Sequence, residues 1–189
     1  MNQIDEVTKS YLLPVGDLTL TDRKDLRINC DEVLLVNAQQ LAIRPSARDL
    51  IIRDTLPNTD LGLAAQEDWL IAGAGVVATE LQYVNAALPN NRCLAFYGVS
   101  VESAPPSISR VRMTQGATSA QTRAILQLEQ LYSRIETVGY FSEAIIFTGL
   151  ETVRIMVMPR LAFAVNTERL AFLAKTIEPI GLVVGARSA

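Results

Sequence analysis

The sequence contains no histidine. It therefore lacks the general base of Ser-His-Asp and Cys-His catalysis and the imidazole ligand of most zinc and iron sites. Its two cysteines, Cys30 and Cys93, are too few for a metal site made of thiolates alone. They can form at most one disulfide, and the sequence leaves open whether they pair. We expect no metal centre and no bound cofactor, and we do not expect the chain to be an enzyme.

Long apolar runs and an excess of positive charge are also missing. The longest apolar stretch, residues 69–78, contains two glycines and has about half the length that spans a bilayer, so we expect no transmembrane segment. The first six residues are polar and acidic, unlike the start of a signal peptide. The net charge of −3 and the pI near 5.1 give no field that attracts nucleic acid, so we expect no specific nucleic-acid recognition.

What the chain does have is an ordinary globular composition and many arginines. Apolar residues make up 49% of its 189 residues, which is enough for the core of one domain. Arginine outnumbers lysine 14 to 3. Because guanidinium groups make planar contacts with several donors, this bias favours a protein that assembles through its surface. The codon usage of a GC-rich genome is the alternative explanation.

Short apolar runs separated by turn or charged residues dominate from residue 33 onward. Cys93–Val101 is apolar on both faces, and residues 108–113 and 152–158 alternate between apolar and polar. Further runs occupy residues 33–36, 41–43, 50–52, 170–177 and 180–184. This pattern predicts a mainly β fold, an antiparallel sandwich of jelly-roll type with one or two short helices.

Residues 1–32 lack such a pattern. We therefore predict that they form an extended N-terminal arm, which contributes little to the core and contacts a neighbouring subunit. Residues 33–189 then form a single β-sandwich domain.

Two segments have the spacing of helices. Residues 118–135 start with a possible capping box, Thr118 to Gln121, and place apolar residues at positions 124, 128, 131, 132 and 135. We expect at least one helical turn in this segment. Residues 76–88 are also compatible with a helix.

One motif suggests a cofactor. Gly73-Ala-Gly75-Val-Val-Ala78 fits the dinucleotide-binding fingerprint, and Glu102 follows near the spacing of an acid that holds a ribose hydroxyl. However, many strand-like residues precede the motif, and repeating strand–helix units do not follow it. We therefore predict that Gly73–Gly75 is a loop that binds no dinucleotide. The alternative is an oxidoreductase that uses Gly73, Gly75, Ala78 and Glu102 as its cofactor site.

Three residues are candidates for contacts between subunits. Arg110 and Arg112 lie on one side of a predicted strand, where they can meet acids on a neighbouring subunit, meet a polyanion, or remain solvated. Trp69, the only tryptophan, is expected to anchor the core or an interface.

The order of these segments resembles that of small single jelly-roll virion proteins, such as the major capsid proteins of tailless icosahedral phages and archaeal viruses. The resemblance covers roughly residues 45–185. It rests on the runs Ala95-Phe-Tyr-Gly-Val-Ser-Val, Arg110-Val-Arg-Met, Leu126-Gln-Leu-Glu-Gln-Leu-Tyr132, Val138-Gly-Tyr-Phe, Glu151-Thr-Val-Arg-Ile-Met-Val and Phe172-Leu-Ala-Lys-Thr-Ile-Glu-Pro.

The resemblance implies a self-assembling structural protein, a coat subunit made in the host cytoplasm and located in the virion. Its partners would be copies of itself and other virion proteins. Besides the oxidoreductase, a jelly-roll ligand-binding module of non-viral origin remains an alternative.

Overall fold

The computed structural model describes residues 12–14, 16, 18–40, 50–63, 69–103, 105–116, 121–134 and 136–179. Within these ranges the chain forms ten strands and three helices. The strands are β1 (Leu12–Pro14), β2 (Leu50–Asp54), β3 (Leu70–Ile71), β4 (Leu81–Ala87), β5 (Cys93–Val101), β6 (Ile108–Gln115), β7 (Gln121–Gln127), β8 (Val138–Phe147), β9 (Thr152–Pro159) and β10 (Glu168–Pro179). The helices are α1 (Leu20–Gln40), α2 (Pro57–Leu61) and α3 (Glu129–Tyr132).

The strands form two antiparallel sheets that pack face to face. The six-stranded sheet has the order β1-β8-β5-β10-β2, with β3 paired to the start of β10, and the four-stranded sheet has the order β4-β9-β6-β7. The main core lies between them and includes Phe96, Phe147 and Phe172, whose rings meet edge to face. This confirms the prediction of a mainly β antiparallel sandwich. The jelly-roll order of strands stays a prediction.

Strands occur where the sequence alternates between apolar and polar residues and where it is apolar throughout. Cys93–Val101 is β5, residues 108–113 and 152–158 lie within β6 and β9, and residues 50–52 and 170–177 lie within β2 and β10. In β9 every second side chain is buried, as expected for a strand with one face on the core. The runs at residues 41–43 and 180–184 lie outside the described residues.

The strand predicted at residues 33–36 is wrong, because these residues lie in helix α1. The helix begins with a reciprocal cap, in which the Asp22 amide donates to Thr19 Oγ1 (3.2 Å) and the Thr19 amide donates to Asp22 Oδ2 (2.8 Å). Helix α1 covers the outer face of the six-stranded sheet. Its residues Cys30 and Leu34 are buried there against residues of β5 and β10.

The N-terminal arm is more integrated than we expected. Helix α1 runs through the boundary placed between residues 32 and 33. Strand β1 pairs with β8, and its Leu12 is buried in the main core. The expectation that the first thirty residues contribute little to the core is therefore wrong for Leu12 and Cys30.

Each of the two segments with helical spacing contains a strand, and residues 118–120 and 135 lie outside the described residues. Residues 121–127 form β7, in which Ala124 and Leu126 face the core through a period of two. One short helix, α3, follows, so the expected helical turn is confirmed. The interpretation of residues 76–88 as a helix is wrong, since residues 81–87 form β4. In both cases pairing with a neighbouring strand outweighs the local preference.

Both cysteines are free thiols, and both side chains are buried. No helix among the described residues is long and apolar enough to cross a membrane.

Candidate functional site

Two loops at one end of the sandwich lie side by side. They comprise residues 72–80, between β3 and β4, and residues 160–167, between β9 and β10. The Gly75 amide donates to the Phe163 carbonyl (3.0 Å), and the Phe163 amide donates to the Gly75 carbonyl (3.2 Å). The Ala78 amide donates to the carbonyl of Pro159 at the end of β9 (3.0 Å). These backbone bonds hold the two loops as one unit.

Glycine at position 75 allows this close approach. A Cβ at Gly75 would collide with Cε1 and Cζ of the Phe163 ring. The ring itself is half-buried and packs on the main core. Beyond Gly75, residues 76–79 close in a tight turn, with the Thr79 amide donating to the Val76 carbonyl (3.1 Å) and Ala78 at a φ of 59°. The turn points its side chains away from the core.

Most exposed side chains of these loops are aliphatic, and the exposed polar ones are Thr79, Arg160, Asn166 and Thr167. Val76 is 62% exposed, Val77 52%, Leu161 40% and Val165 57%. We call these four residues the apolar loop surface. Exposed alanines accompany them at positions 72, 74, 162 and 164. A single exposed valine needs no explanation, but a group of this kind on adjacent loops is typical of an interaction site.

Glu80 lies at the margin of this surface and binds two arginines of β6. Its Oε1 accepts from Arg110 Nη2 (3.0 Å) and from Arg112 Nε (3.1 Å), and its Oε2 accepts from Arg112 Nη2. The hydrogen bond from Arg112 is the main reason that the pKa of Glu80 lies below its usual range. Arg110 and Arg112, which we proposed for contacts between subunits, therefore have an acidic partner within their own chain.

The residues of the alternative dinucleotide site do not have the surroundings that such a site needs. Gly73, Gly75 and Ala78 do share one loop, as predicted, but the segment after them is strand β4 rather than a helix. A dinucleotide fingerprint depends on a helix N-terminus for the pyrophosphate, and this loop has none among the described residues. Glu102 is exposed just beyond the end of β5.

Trp69 anchors the core next to this loop. Its ring packs on Phe172 in an edge-to-face arrangement, with 5.5 Å between the ring centroids. The residue is half-buried against the main core. One of the two roles expected for it, that of a core anchor, is therefore confirmed.

The sequence did not reveal a group of four charged residues at the opposite end of the sandwich. We call Arg53, Asp60, Arg92 and Glu178 the buried ion network. The side chains of Asp60 and Glu178 are 0% and 3% exposed, and those of Arg53 and Arg92 are 19% and 13% exposed. Each arginine binds both acids at distances between 2.7 and 3.0 Å.

The network is closed and neutral. Asp60 Oδ2 also accepts from the Leu56 amide (2.8 Å) and from Thr176 Oγ1 (3.2 Å). Hydrogen bonds from Arg53 to Asp60 are the main cause of a raised pKa of this guanidinium. Both carboxylates are occupied by ion pairs with Arg53 and Arg92. The network joins β2, α2, the turn before β5 and the end of β10, and its role is structural.

A pocket of about 240 Å³ offers little chemistry. It is lined by Asn37, Arg123, Thr148 and residues 143–146, and it is smaller than a typical ligand site of about 300–1,000 Å³. Arg123 Nη2 is engaged by Glu151 Oε1 (3.1 Å) and by Gln115. Among the described residues, no three His, Cys, Asp or Glu side chains are grouped as metal ligands would be.

No protein-family model matches this chain, and no curated protein is significantly similar to it. The apolar loop surface is therefore the feature from which we argue function.

Proposed function

We propose that this chain is a structural subunit that assembles with copies of itself and that the apolar loop surface forms one of the contacts. The observation that carries the proposal is the exposure of four branched aliphatic side chains on two loops that the backbone holds together. Valine and leucine on a fixed loop lose little conformational freedom on binding, and they gain from leaving water.

The free energy gained by burying these side chains indicates whether the apolar loop surface can hold two copies together by itself. Full burial of a valine or leucine side chain contributes about 1.5–3 kcal/mol, so covering the exposed half of four contributes roughly 3–6 kcal/mol. Association costs an estimated 4–15 kcal/mol in lost translational and rotational freedom. The loop surface alone therefore cannot hold a stable dimer. It fits a subunit that makes several contacts at once, as in a closed assembly.

The opposite end of the sandwich also exposes apolar side chains. Strand β9 runs from that end to the loop surface over roughly 25 Å. Leu150, in the turn before β9, is 79% exposed, and Ala87 and Pro89 beside it in the fold are also exposed. Contact between the two ends of neighbouring copies is head-to-tail, and such contacts generate rings or extended arrays.

The specific role of a coat subunit rests on the resemblance to small jelly-roll virion proteins and on the sandwich of two antiparallel sheets. In this role the chain binds copies of itself and other virion proteins. It is made in the host cytoplasm, is located in the virion and has no enzymatic activity.

The test measures molar mass in solution by light scattering over a range of protein concentrations. We expect the native chain to exceed its monomer mass of 20.7 kDa. The double variant Val77→Asp/Val165→Asp places charges in the contact and should weaken assembly at least tenfold. Val36→Asp is the control for a single added charge, because Val36 is a valine of similar exposure (50%) on helix α1.

Circular dichroism should show that all three proteins are folded. A native chain that stays monomeric at every concentration contradicts self-assembly. Equal weakening by Val36→Asp contradicts a specific role of the loops. A monomeric chain that binds phosphatidylcholine vesicles, and loses this binding in the double variant, would assign the loops to a membrane surface instead.

A further inference from the structure

The four-stranded sheet has an unusual charge composition. Its strands β4, β6, β7 and β9 together contain four arginines, no lysine, no aspartate and no glutamate. We call these residues, Arg110, Arg112, Arg123 and Arg154, the arginine face. Each is adjacent in its strand to a buried apolar residue, such as Val111, Ala124 or Val153. Because side chains alternate along a strand, all four arginines point away from the core.

The strand register places the arginines on one continuous surface. Arg112 lies opposite Met156 of β9 and Ile125 of β7, and Arg154 lies opposite Asn85 of β4. From the strand spacing and rise, the arginines fit within a patch of roughly 13 by 10 Å. Helix α1 covers the outer face of the other sheet, whereas Gln82, Asn85, Ile125 and Gln127 on this face are exposed in the described structure.

Two acids from the ends of the sheet partly neutralise the face. Glu80 binds Arg110 and Arg112, and Glu151 binds Arg123 (3.1 Å). Arg154 has no acidic partner among the described residues, and its buried Nε has no hydrogen-bond partner there. The side chains of Arg110, Arg112 and Arg123 remain about one third exposed. Counted with these two acids, the four arginines carry a charge of +2, on a chain with a net charge of −3. A third acid, Glu143, lines the pocket beside Arg123 at one edge of the face.

We propose that the arginine face binds the phosphodiester backbone of a nucleic-acid duplex without reading its sequence. The guanidinium group matches two phosphate oxygens at once, and the amides of Gln82, Asn85 and Gln127 are additional donors beside it. No outward position of these strands holds an aromatic ring, so stacking on single-stranded bases is not available. A flat sheet face also does not enter a groove, and contacts with phosphates carry no sequence information.

The negative net charge of the chain does not prevent such local binding. The exposed acids Asp22, Asp25 and Glu32 lie on α1, on the far side of the six-stranded sheet. Asn37, near the end of α1, lines the same pocket as Arg123. Asp25 and Asp22 precede Asn37 by 12 and 15 residues, which is roughly 18–22 Å along the helix, while the screening length in 0.1 M salt is about 10 Å. The proposed contact does not read the base sequence, so it is compatible with the prediction of no specific nucleic-acid recognition. The inference goes beyond self-assembly and does not depend on it.

The test measures binding of a fluorescent 20-base-pair DNA duplex by anisotropy at several salt concentrations. Two to four phosphate contacts predict that affinity falls by about 10- to 100-fold between 50 and 200 mM salt. Arg123→Gln/Arg154→Gln should weaken binding and reduce the slope of log affinity against log salt by up to about 2. The control Lys24→Gln/Arg27→Gln removes the same charge from exposed positions of α1 and should leave binding unchanged.

Glu80→Gln gives the most discriminating result. It removes the acid that holds Arg110 and Arg112, so binding should tighten and the slope should steepen. A misfolded variant would not bind more tightly. The same measurements in the Val77→Asp/Val165→Asp background separate this inference from any effect of assembly.

Absence of binding in 50 mM salt overturns the proposal. Equal loss in the α1 control, or no gain in Glu80→Gln, also overturns it. If poly-glutamate binds as tightly as the duplex, the face recognises an acidic protein rather than a nucleic-acid backbone.

Discussion

Replacing Asp60 by asparagine should unfold the protein at much lower denaturant concentration. The substitution keeps the shape of the side chain but removes its negative charge. Arg53 and Arg92 then face a single acid, Glu178, and the buried ion network carries an uncompensated positive charge. The amide nitrogen of the new side chain is a hydrogen-bond donor. It therefore cannot accept the hydrogen bonds that the guanidinium groups of Arg53 and Arg92 donate.

The structure sets the size of this effect. Removing one partner of a buried ion pair costs about 3–5 kcal/mol. Arg53 and Arg92 are 19% and 13% exposed, so water relieves part of the cost, and the lower end, about 3 kcal/mol, applies here. With a urea m-value of about 2 kcal/mol per molar, the unfolding midpoint should fall by about 1.5 M.

Urea unfolding followed by the fluorescence of Trp69 measures this shift, because the ring of Trp69 packs on the core residue Phe172. The experiment uses the Val77→Asp/Val165→Asp background, so that assembly does not contribute to the midpoint. Glu102→Gln is the control, since Glu102 is exposed and its neutralisation should cost less than about 0.5 kcal/mol.

A second substitution tests whether charge balance stabilises the buried ion network. Arg92→Met in the Asp60→Asn protein restores neutrality between Arg53 and Glu178, so the double variant should be more stable than the sum of the two single effects. A loss below 1 kcal/mol for Asp60→Asn, or strict additivity, would refute the view that charge balance stabilises this region.

Two further predictions concern the loop and the thiols. Gly75→Ala should destabilise the chain by about 1–3 kcal/mol because its methyl group meets the Phe163 ring, and Phe163→Leu in the same chain should recover part of the loss. Melting curves of the native chain should not shift with NAD, NADP or FAD, whereas a stabilisation that Gly75→Ala abolishes would favour the oxidoreductase alternative. Burial raises the pKa of Cys30 to about 12 and also raises that of Cys93, so neither thiol should react with iodoacetamide at pH 8 until urea is added. Mass spectrometry checks this, and a native chain without two free thiols after unfolding contradicts it.

The strands of the sandwich were predictable where a local pattern agrees with the tertiary environment. Strand β9 alternates over its whole length, and β5 is apolar on both faces because α1 covers one side of its sheet. Helix α1 was missed because its apolar residues do not form one stripe. Ile28 and Val36 are exposed while Cys30 and Leu34 are buried, so residues 33–36 resemble a short strand. The pair Thr19 and Asp22 was the one signal of its start.

The candidate site was predictable only in part. The segment from Gly73 to Ala78 was singled out as a possible cofactor loop, but its partner, the loop of residues 160–167, is more than eighty residues away in sequence. The buried ion network joins positions 53, 60, 92 and 178, whose contact depends on strand pairing that no local pattern encodes. The excess of arginine over lysine was its only trace in the composition.

The position of Glu80 and Glu151 has a consequence for how this protein can change over evolution. Both acids lie in connecting segments, directly before β4 and close before β9, while the arginines that they bind lie within strands. Connecting segments accept substitutions more readily than paired strands. A single replacement at position 80 or 151 can therefore alter the charge of the whole sheet surface while every strand keeps its sequence and register. The strength of the interaction made by this surface can thus be tuned independently of the fold that supports it.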